Sequence, residues 1–165
     1  MLEWDKSQLR YRAMTLEDID QITDIEQEAF TEPWTKEAFH NELVNNLFAK
    51  YIIVEYAGDI VGYGGMWIII DEAHVTNIAI RSGFRGKGLG SLLLTEMKKT
   101  ASNFGAVRMT LEVRVSNHAA QKLYEKHGFE ASGIRPNYYS DNNEDAVIMW
   151  AEFDQERMKI GENKL

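Results

Sequence analysis

The sequence predicts an α/β (α+β) fold: a mixed, mostly antiparallel sheet of six to seven strands flanked by about four helices. Three observations carry that expectation. Period-two apolar runs and helical patterns follow one another in the order β-α-α-β-β-β-α-β-α-β-β. The strands on either side of the third helix are joined only through that helix, which calls for parallel pairing there, while short turns join the others. At 165 residues the chain can bury one core and is too short for two comfortable ones, so a single domain over residues 1–165 is expected.

Each element has a local reason. Residues 9–14, LRYRAM, alternate apolar and polar as a strand does, and Thr15 with Asp18 three positions later resembles a capping box opening a helix that carries Ile19, Ile22, Ile25 and Phe30. Pro33-Trp34 interrupts that pattern, and Thr35 can cap a second short helix running through Leu43. The run AKYIIVEYAGDIVGYGGMWIII reads as two strands joined at Gly58-Asp59. Residues 75–80 form another strand, residues 88–104 a helix closed by Gly105, and residues 107–113 a strand with Val107, Met109, Leu111 and Val113 on one face. A short helix over 119–127 stops at Gly128, a strand starts at Phe129, the loop NYYSDNNED follows, and a last strand spans 146–153.

Composition narrows the function. A net charge of −8 argues against a chain whose main task is gripping nucleic-acid phosphates, and it suits a basic polypeptide partner or none in particular. The absence of cysteine removes disulfides, thiolate nucleophiles and cysteine zinc sites. The longest apolar run, residues 63–70, falls well short of a membrane span, so a cytoplasmic protein with no membrane partner is expected. His40, His74, His118 and His127 lack a nucleophile-elbow context or metal spacing and read as structural or exposed; no metal is expected.

The most informative stretch is Arg85-Gly86-Lys87-Gly88-Leu89-Gly90, set between a strand and a helix. Glycines there let the backbone approach a ligand, and the first amides of the helix point toward an anion, for which a phosphate is the natural candidate. Two cations where the helix dipole is already positive are unfavourable unless something negative joins them. The bland alternative is a tight turn with solvated cations. A Walker loop is excluded, because Leu89 and Gly90 stand where lysine and serine or threonine are required. A dinucleotide fingerprint remains a rival: Gly86-x-Gly88 follows a strand, with Glu112 downstream, although Ser91 replaces the third glycine.

Arg85-x-x-Gly88-x-Gly90 after a strand is similar to the acyl-CoA pyrophosphate loop of the GNAT family of N-acetyltransferases. LEVRVSNHAAQKLYEKHGF, residues 111–129, resembles that family's acidic strand, asparagine and leucine-tyrosine helix ending in glycine-phenylalanine. EPWT at 32–35 and IRPNYYSDNNEDAVIM at 134–149 further resemble its bacterial ribosomal-protein alanine N-acetyltransferases, the RimI type. The likeness spans roughly residues 9–153, with one departure at Ser82, where the family often has proline.

The resemblance implies the GNAT acyltransferase fold and an acetyl-CoA co-substrate lying along residues 77–80. Main chain of Ile78, Ala79 and Ile80 would lie near the pantetheine, and the amides of Arg85, Gly86, Lys87, Gly88, Leu89 and Gly90 on the pyrophosphate. It implies that Asn117 contacts the cofactor, a role compatible with capping the following helix. It makes Glu112 the general base for the acceptor amine, through water, against the plainer expectation of a solvated glutamate paired with Arg108 or Arg114. It makes Tyr124 the proton source for the thiolate, against simple core packing with Leu123 and Phe129. Pro33, Trp34, Tyr138 and Tyr139 would flank the entering peptide, or else only anchor their loops. The expected acceptor is a protein N-terminus of a small-subunit ribosomal protein, with no direct nucleic-acid contact, and the expected state is a monomer or weak dimer. Family members acting on lysines, polyamines or antibiotics, and a non-catalytic acyl-CoA sensor or partner subunit, are the alternatives.

Overall fold

The computed structural model describes residues 5–153. Strand β1 (Leu9–Ala13) leads into helices α1 (Ile19–Ala29) and α2 (Lys36–Asn45). Strands β2 (Ala49–Tyr56), β3 (Asp59–Ile69) and β4 (Glu72–Ile80) follow, then α3 (Leu89–Asn103), β5 (Arg108–Arg114), α4 (His118–Lys126), β6 (Glu130–Arg135) and β7 (Ala146–Glu152). The strands lie in one seven-stranded sheet in the order β1-β2-β3-β4-β5-β7-β6. Pairing is antiparallel at β1–β2, β2–β3, β5–β7 and β6–β7, and parallel at β4–β5. This is the predicted mixed sheet, with its parallel step across α3. By contact density the described chain forms two units, residues 5–67 with 75–97 and residues 68–74 with 98–153.

In the first unit, α1 buries Ile19, Ile22 and Ile25 on one face, and these pack in a core with Phe39 of α2, Ile53 of β2 and Tyr63 of β3. The helix starts follow the predicted caps. The Asp18 carboxylate accepts from the Thr15 amide at 2.8 Å, while Thr35 Oγ1 accepts from the Ala38 amide at 3.1 Å. Paired glycines on β3 allow close layering: a Cβ on Gly64 would overlap the Met97 sulfur of α3, and one on Gly65 would overlap the Tyr51 ring.

Under α1 lies a buried carboxylate. Glu26 is 2% exposed; it accepts from the Tyr63 hydroxyl, from the Trp34 amide at 3.2 Å, and from the side chain of Asn77. Burial outweighs these donors and pushes its carboxyl up to about 7.

In the second unit, β5 sends Met109, Leu111 and Val113 into the core with Phe129 and Met149, as its alternation predicts. It pairs in parallel with β4 at Glu72–Arg108, Ala73–Met109 and His74–Thr110. The sequence places the start of that strand at Val75. The three extra residues read as a polar loop because their outward face carries Glu72 and His74, and their pairing with β5 makes them strand. Helix α4 begins at His118, one residue earlier than predicted, with the Asn117 side chain accepting from the Ala120 amide at 3.1 Å. No helix among the described residues is long and apolar enough to cross a membrane.

Glu26 gives a pH signature to stability. Its folded-state pKa exceeds the ordinary value of 4.5, so the folded chain holds this proton more tightly than the unfolded one. Its contribution therefore favours folding below pH 4.5 and is lost as pH rises toward 7. Glu26→Gln should remove that slope, so the stability of the variant relative to the wild type should rise by up to about 3 kcal/mol between those limits. Urea unfolding of both proteins at pH 5 and pH 8 measures the difference; equal slopes would show that Glu26 is ionised throughout.

Candidate active site

The glycine loop belongs to the first unit. Strand β4 ends at Ile80, residues Ser82–Phe84 make one turn of 3-10 helix, and α3 starts at Leu89. Gly86 and Gly88 hold φ of 75° and 85°, a left-handed conformation that favours glycine. The amides of residues 89–91 precede the first hydrogen bond at the start of α3, Leu92 N to Gly88 O at 3.2 Å. Both predicted cations are drawn in over the turn. Arg85 Nε donates to the Ile80 carbonyl at 2.9 Å, and Lys87 Nζ to the Gly83 carbonyl at 3.4 Å. Ser82, the departure from the resembling pattern, donates its amide to the Glu28 carboxylate, a bond that proline could not make.

Pro33 and Trp34 line a groove of about 730 Å³ together with Glu42, Leu47, Phe48 and Trp67. Its shape is held from beneath: Glu26 takes the Trp34 amide, the Trp34 ring lies 5.5 Å from Phe39, and Glu42 accepts from the Trp67 indole at 3.0 Å. Sequence reasoning singled out the two loop residues and did not mention Glu26. A glutamate in the apolar stripe of α1, beside Ile22 and Ile25, was the available signal.

The second unit gathers the remaining site residues. Glu112 projects from β5 with its side chain only 7% exposed. Its Oε2 lies 2.7 Å from His74 Nε2 on β4, and its Oε1 lies 3.3 Å from Arg135 Nε on β6. These are not the partners the sequence proposes. Arg108 instead pairs with Glu72 at 3.0 Å, and Arg114 with Asp141 at 2.8 Å and Glu144 at 3.3 Å. Strand alternation explains the outcome, since His74 sits opposite Thr110 in register and Glu112 lies two residues along on the same face. His74 is therefore partly exposed and paired with Glu112.

Tyr138 and Tyr139 meet ring to ring at 5.0 Å, and the Arg114 guanidinium lies 3.9 Å over the Tyr139 ring. Burial, then the Glu112 charge, raises the Tyr138 phenol. Burial also pushes Tyr139 up to about 12, with smaller contributions from Tyr138, Glu112 and Tyr124. Glu112 and the three phenols thus share one electrostatic neighbourhood. Tyr124, on α4, has its ring 5.8 Å from Phe129, and burial pushes its phenol up to about 12. Asn117 is occupied as the N-cap of α4, the role the sequence offered beside cofactor contact.

Comparison with known proteins adds an independent line. Residues 19–129 match the acetyltransferase (GNAT) family. The chain is 49% identical over 145 residues, 88% of its length and 96% of the relative's, to a Bacillus subtilis (strain 168) protein provisionally named ribosomal protein bS18-alanine N-acetyltransferase. It is 36% identical over 138 residues, 81% of its length and 92% of the relative's, to the ribosomal protein bS18-alanine N-acetyltransferase of Haemophilus ducreyi (strain 35000HP / ATCC 700724). The crystal structure of the ribosomal-protein-S18-alanine N-acetyltransferase from Escherichia coli superposes with a TM-score of 0.80 at 31% identity, covering 87% of this chain and 93% of that one. With the family model covering most of its length and relatives of this identity, the chain belongs to the GNAT family of acetyltransferases.

Proposed function

We propose that the chain transfers an acetyl group from acetyl-CoA to the α-amine of an N-terminal alanine, on a small-subunit ribosomal protein. The observation that carries this reading is the presence of both a shielded carboxylate, Glu112, and a protonated phenol, Tyr124, in a chain that also keeps the anion loop. A sensor that only bound acyl-CoA would need the loop alone.

The loop suits a pyrophosphate. Its two glycines hold the left-handed conformation that lets a backbone approach an anion closely, and its two cations lie over the turn. Acetyl-CoA supplies the activated acyl group as a thioester. Glu112 accounts for the amine, whose nitrogen must lose a proton to attack. Neutralising a lysine at pH 7 costs roughly 3.5 kcal/mol more than neutralising an α-amine, given reference pKa values of about 10.4 and 7.7 to 8.0. The easier acceptor fits a single carboxylate.

Tyr124 faces the leaving sulfur in this reading, and its role differs from a simple proton donor. A thiol sits near about 8.5, so complete transfer from a phenol at about 12 is uphill by about 3.5 units. A phenol that stays protonated is instead a steady hydrogen-bond donor to the sulfur as negative charge builds there, and solvent completes the protonation. Pro33, Trp34, Tyr138 and Tyr139 would hold the first residues of the acceptor, and the acidic balance of the chain favours a basic tail.

Two measurements test this reading. A β-branched residue at φ near 85° is strained, so Gly88→Val should weaken CoA binding in calorimetry by about tenfold, the equivalent of ~1.4 kcal/mol; unchanged affinity would remove the loop from the cofactor site. A peptide copying the start of ribosomal protein bS18, with a free N-terminal alanine, should gain one acetyl group at that amine by mass spectrometry. If a matched peptide with a blocked α-amine and free lysines reacts as fast, the chain is a lysine acetyltransferase.

A further inference from the structure

A β-bulge decides which side chain of β6 shares a face with Glu112. Strand β6 pairs with β7 at Ala131–Met149 and then at Gly133–Ile148, so Ser132 is an extra residue, and the shifted register brings Arg135 opposite Ala146. On its other edge β7 pairs with β5 at Ile148–Glu112 and Ala146–Arg114. Residues in register share a face, as do residues two apart, so Arg135 and Glu112 stand on the same side of the sheet. Without the bulge Ile134 would take the place of the arginine.

The two residues are two strand spacings apart, roughly 10 Å, a gap that only a long side chain closes. Arg135 crosses β7 over the small, buried Ala146, and its Nε lies 3.3 Å from Glu112 Oε1. The rest of the guanidinium is uncommitted. The side chain is 54% exposed, and among the described residues the Glu112 contact is its one ion pair and neither Nη nitrogen donates a hydrogen bond. Each Nη carries two N–H groups in the plane of the guanidinium. Tyr138 is a neighbour: burial and then the Glu112 charge raise its phenol, and the Arg135 charge opposes them.

We propose that Arg135 determines the class of acceptor, its Nη nitrogens donating to the carbonyl oxygen of the acceptor's first residue while the α-amine of that residue faces Glu112. The inference rests on the acetyltransferase reading and deepens it. In an N-terminal residue the carbonyl oxygen stands roughly 3 Å from the amine nitrogen of the same residue. An amine and an acceptor oxygen at that separation complement a carboxylate and a guanidinium held side by side. A lysine side chain or a polyamine presents only methylenes there, and the guanidinium gains no partner from it. The bond to the carbonyl is charge-assisted, and it is available only to amines that open a peptide chain.

The test is a cycle of two proteins and two acceptors. The wild type and Arg135→Met are assayed for kcat/KM with the alanine peptide and with the same peptide whose first amide bond is a trans-alkene. The alkene keeps the α-amine and the extended shape and removes the carbonyl. Any change it makes to the basicity of the amine is common to both proteins and cancels. In the wild type the alkene should cost about tenfold, the scale of one hydrogen bond to a charged group. Arg135→Met should lose about tenfold on the amide peptide and then treat the two acceptors alike to within about twofold, with CoA binding unchanged. No loss in Arg135→Met, or an equal loss on both acceptors, overturns the proposal, since an arginine that serves only Glu112 or the fold affects both acceptors equally. A wild type that leaves the alanine peptide unmodified while it acetylates another amine overturns the acceptor reading and the proposal with it. A wild type that acetylates the peptide without this coupling overturns the proposal alone.

Discussion

A carboxylate removed from water must be met by donors, and the first unit is organised by that requirement at Glu26. The donors come from elements far apart in the chain: the Tyr63 hydroxyl from β3, the Asn77 side chain from β4, and the Trp34 amide from the loop after α1. An apolar residue at position 26 would pack beside Ile22 and Ile25 at less cost, yet it would leave the Trp34 amide and the Tyr63 hydroxyl without this acceptor. The buried carboxyl therefore holds together elements that an apolar side chain could not. It fixes the backbone of the EPWT loop, and with it the groove that Pro33 and Trp34 line.

The second unit answers the same constraint at Glu112 with a different outcome. Its donors are the partly exposed His74 and Arg135, so the carboxylate is satisfied without being sealed into the core. Glu26 sits among core side chains and carries a raised carboxyl, whereas Glu112 shares its face with a guanidinium, an imidazole and the Tyr138 and Tyr139 phenols. One carboxylate is placed to hold a loop still, the other faces two partly exposed basic side chains. Depth and the identity of the donors separate the two roles, since the residue type is the same.

Much of this was legible in the residues. Period-two alternation placed β5 and its inward Met109, Leu111 and Val113, the Thr15, Thr35 and Asn117 caps placed the starts of three helices, and the glycines marked the loop before α3. What escaped was set by pairing between strands. His74 looked unremarkable because Asp71-Glu72-Ala73-His74 has the composition of a loop, and only the register with Arg108, Met109 and Thr110 makes it a strand that aims the ring at Glu112. The partner of Glu112 was misjudged for the same reason: Arg108 and Arg114 are close in sequence, but they are engaged by Glu72, Asp141 and Glu144. Glu26 was missed because helical periodicity shows that a position faces inward and is silent about which donors will meet it there.

The loop before α3 holds its cations with its own main chain. Arg85 Nε donates to the Ile80 carbonyl and Lys87 Nζ to the Gly83 carbonyl, neutral acceptors that restrict each side chain over the turn. Glu28 is a carboxylate near that turn. Its hydrogen bonds with the Ser82 side chain and then the Ser82 amide, ahead of the Arg85 and Arg81 charges, keep its carboxyl below the ordinary range. A proline at position 82 could make neither bond, since it has no amide hydrogen and no hydroxyl. Serine at this position therefore ties the start of the loop to α1 through Glu28, and the turn that carries Arg85 and Lys87 is anchored at the residue where the chain leaves β4.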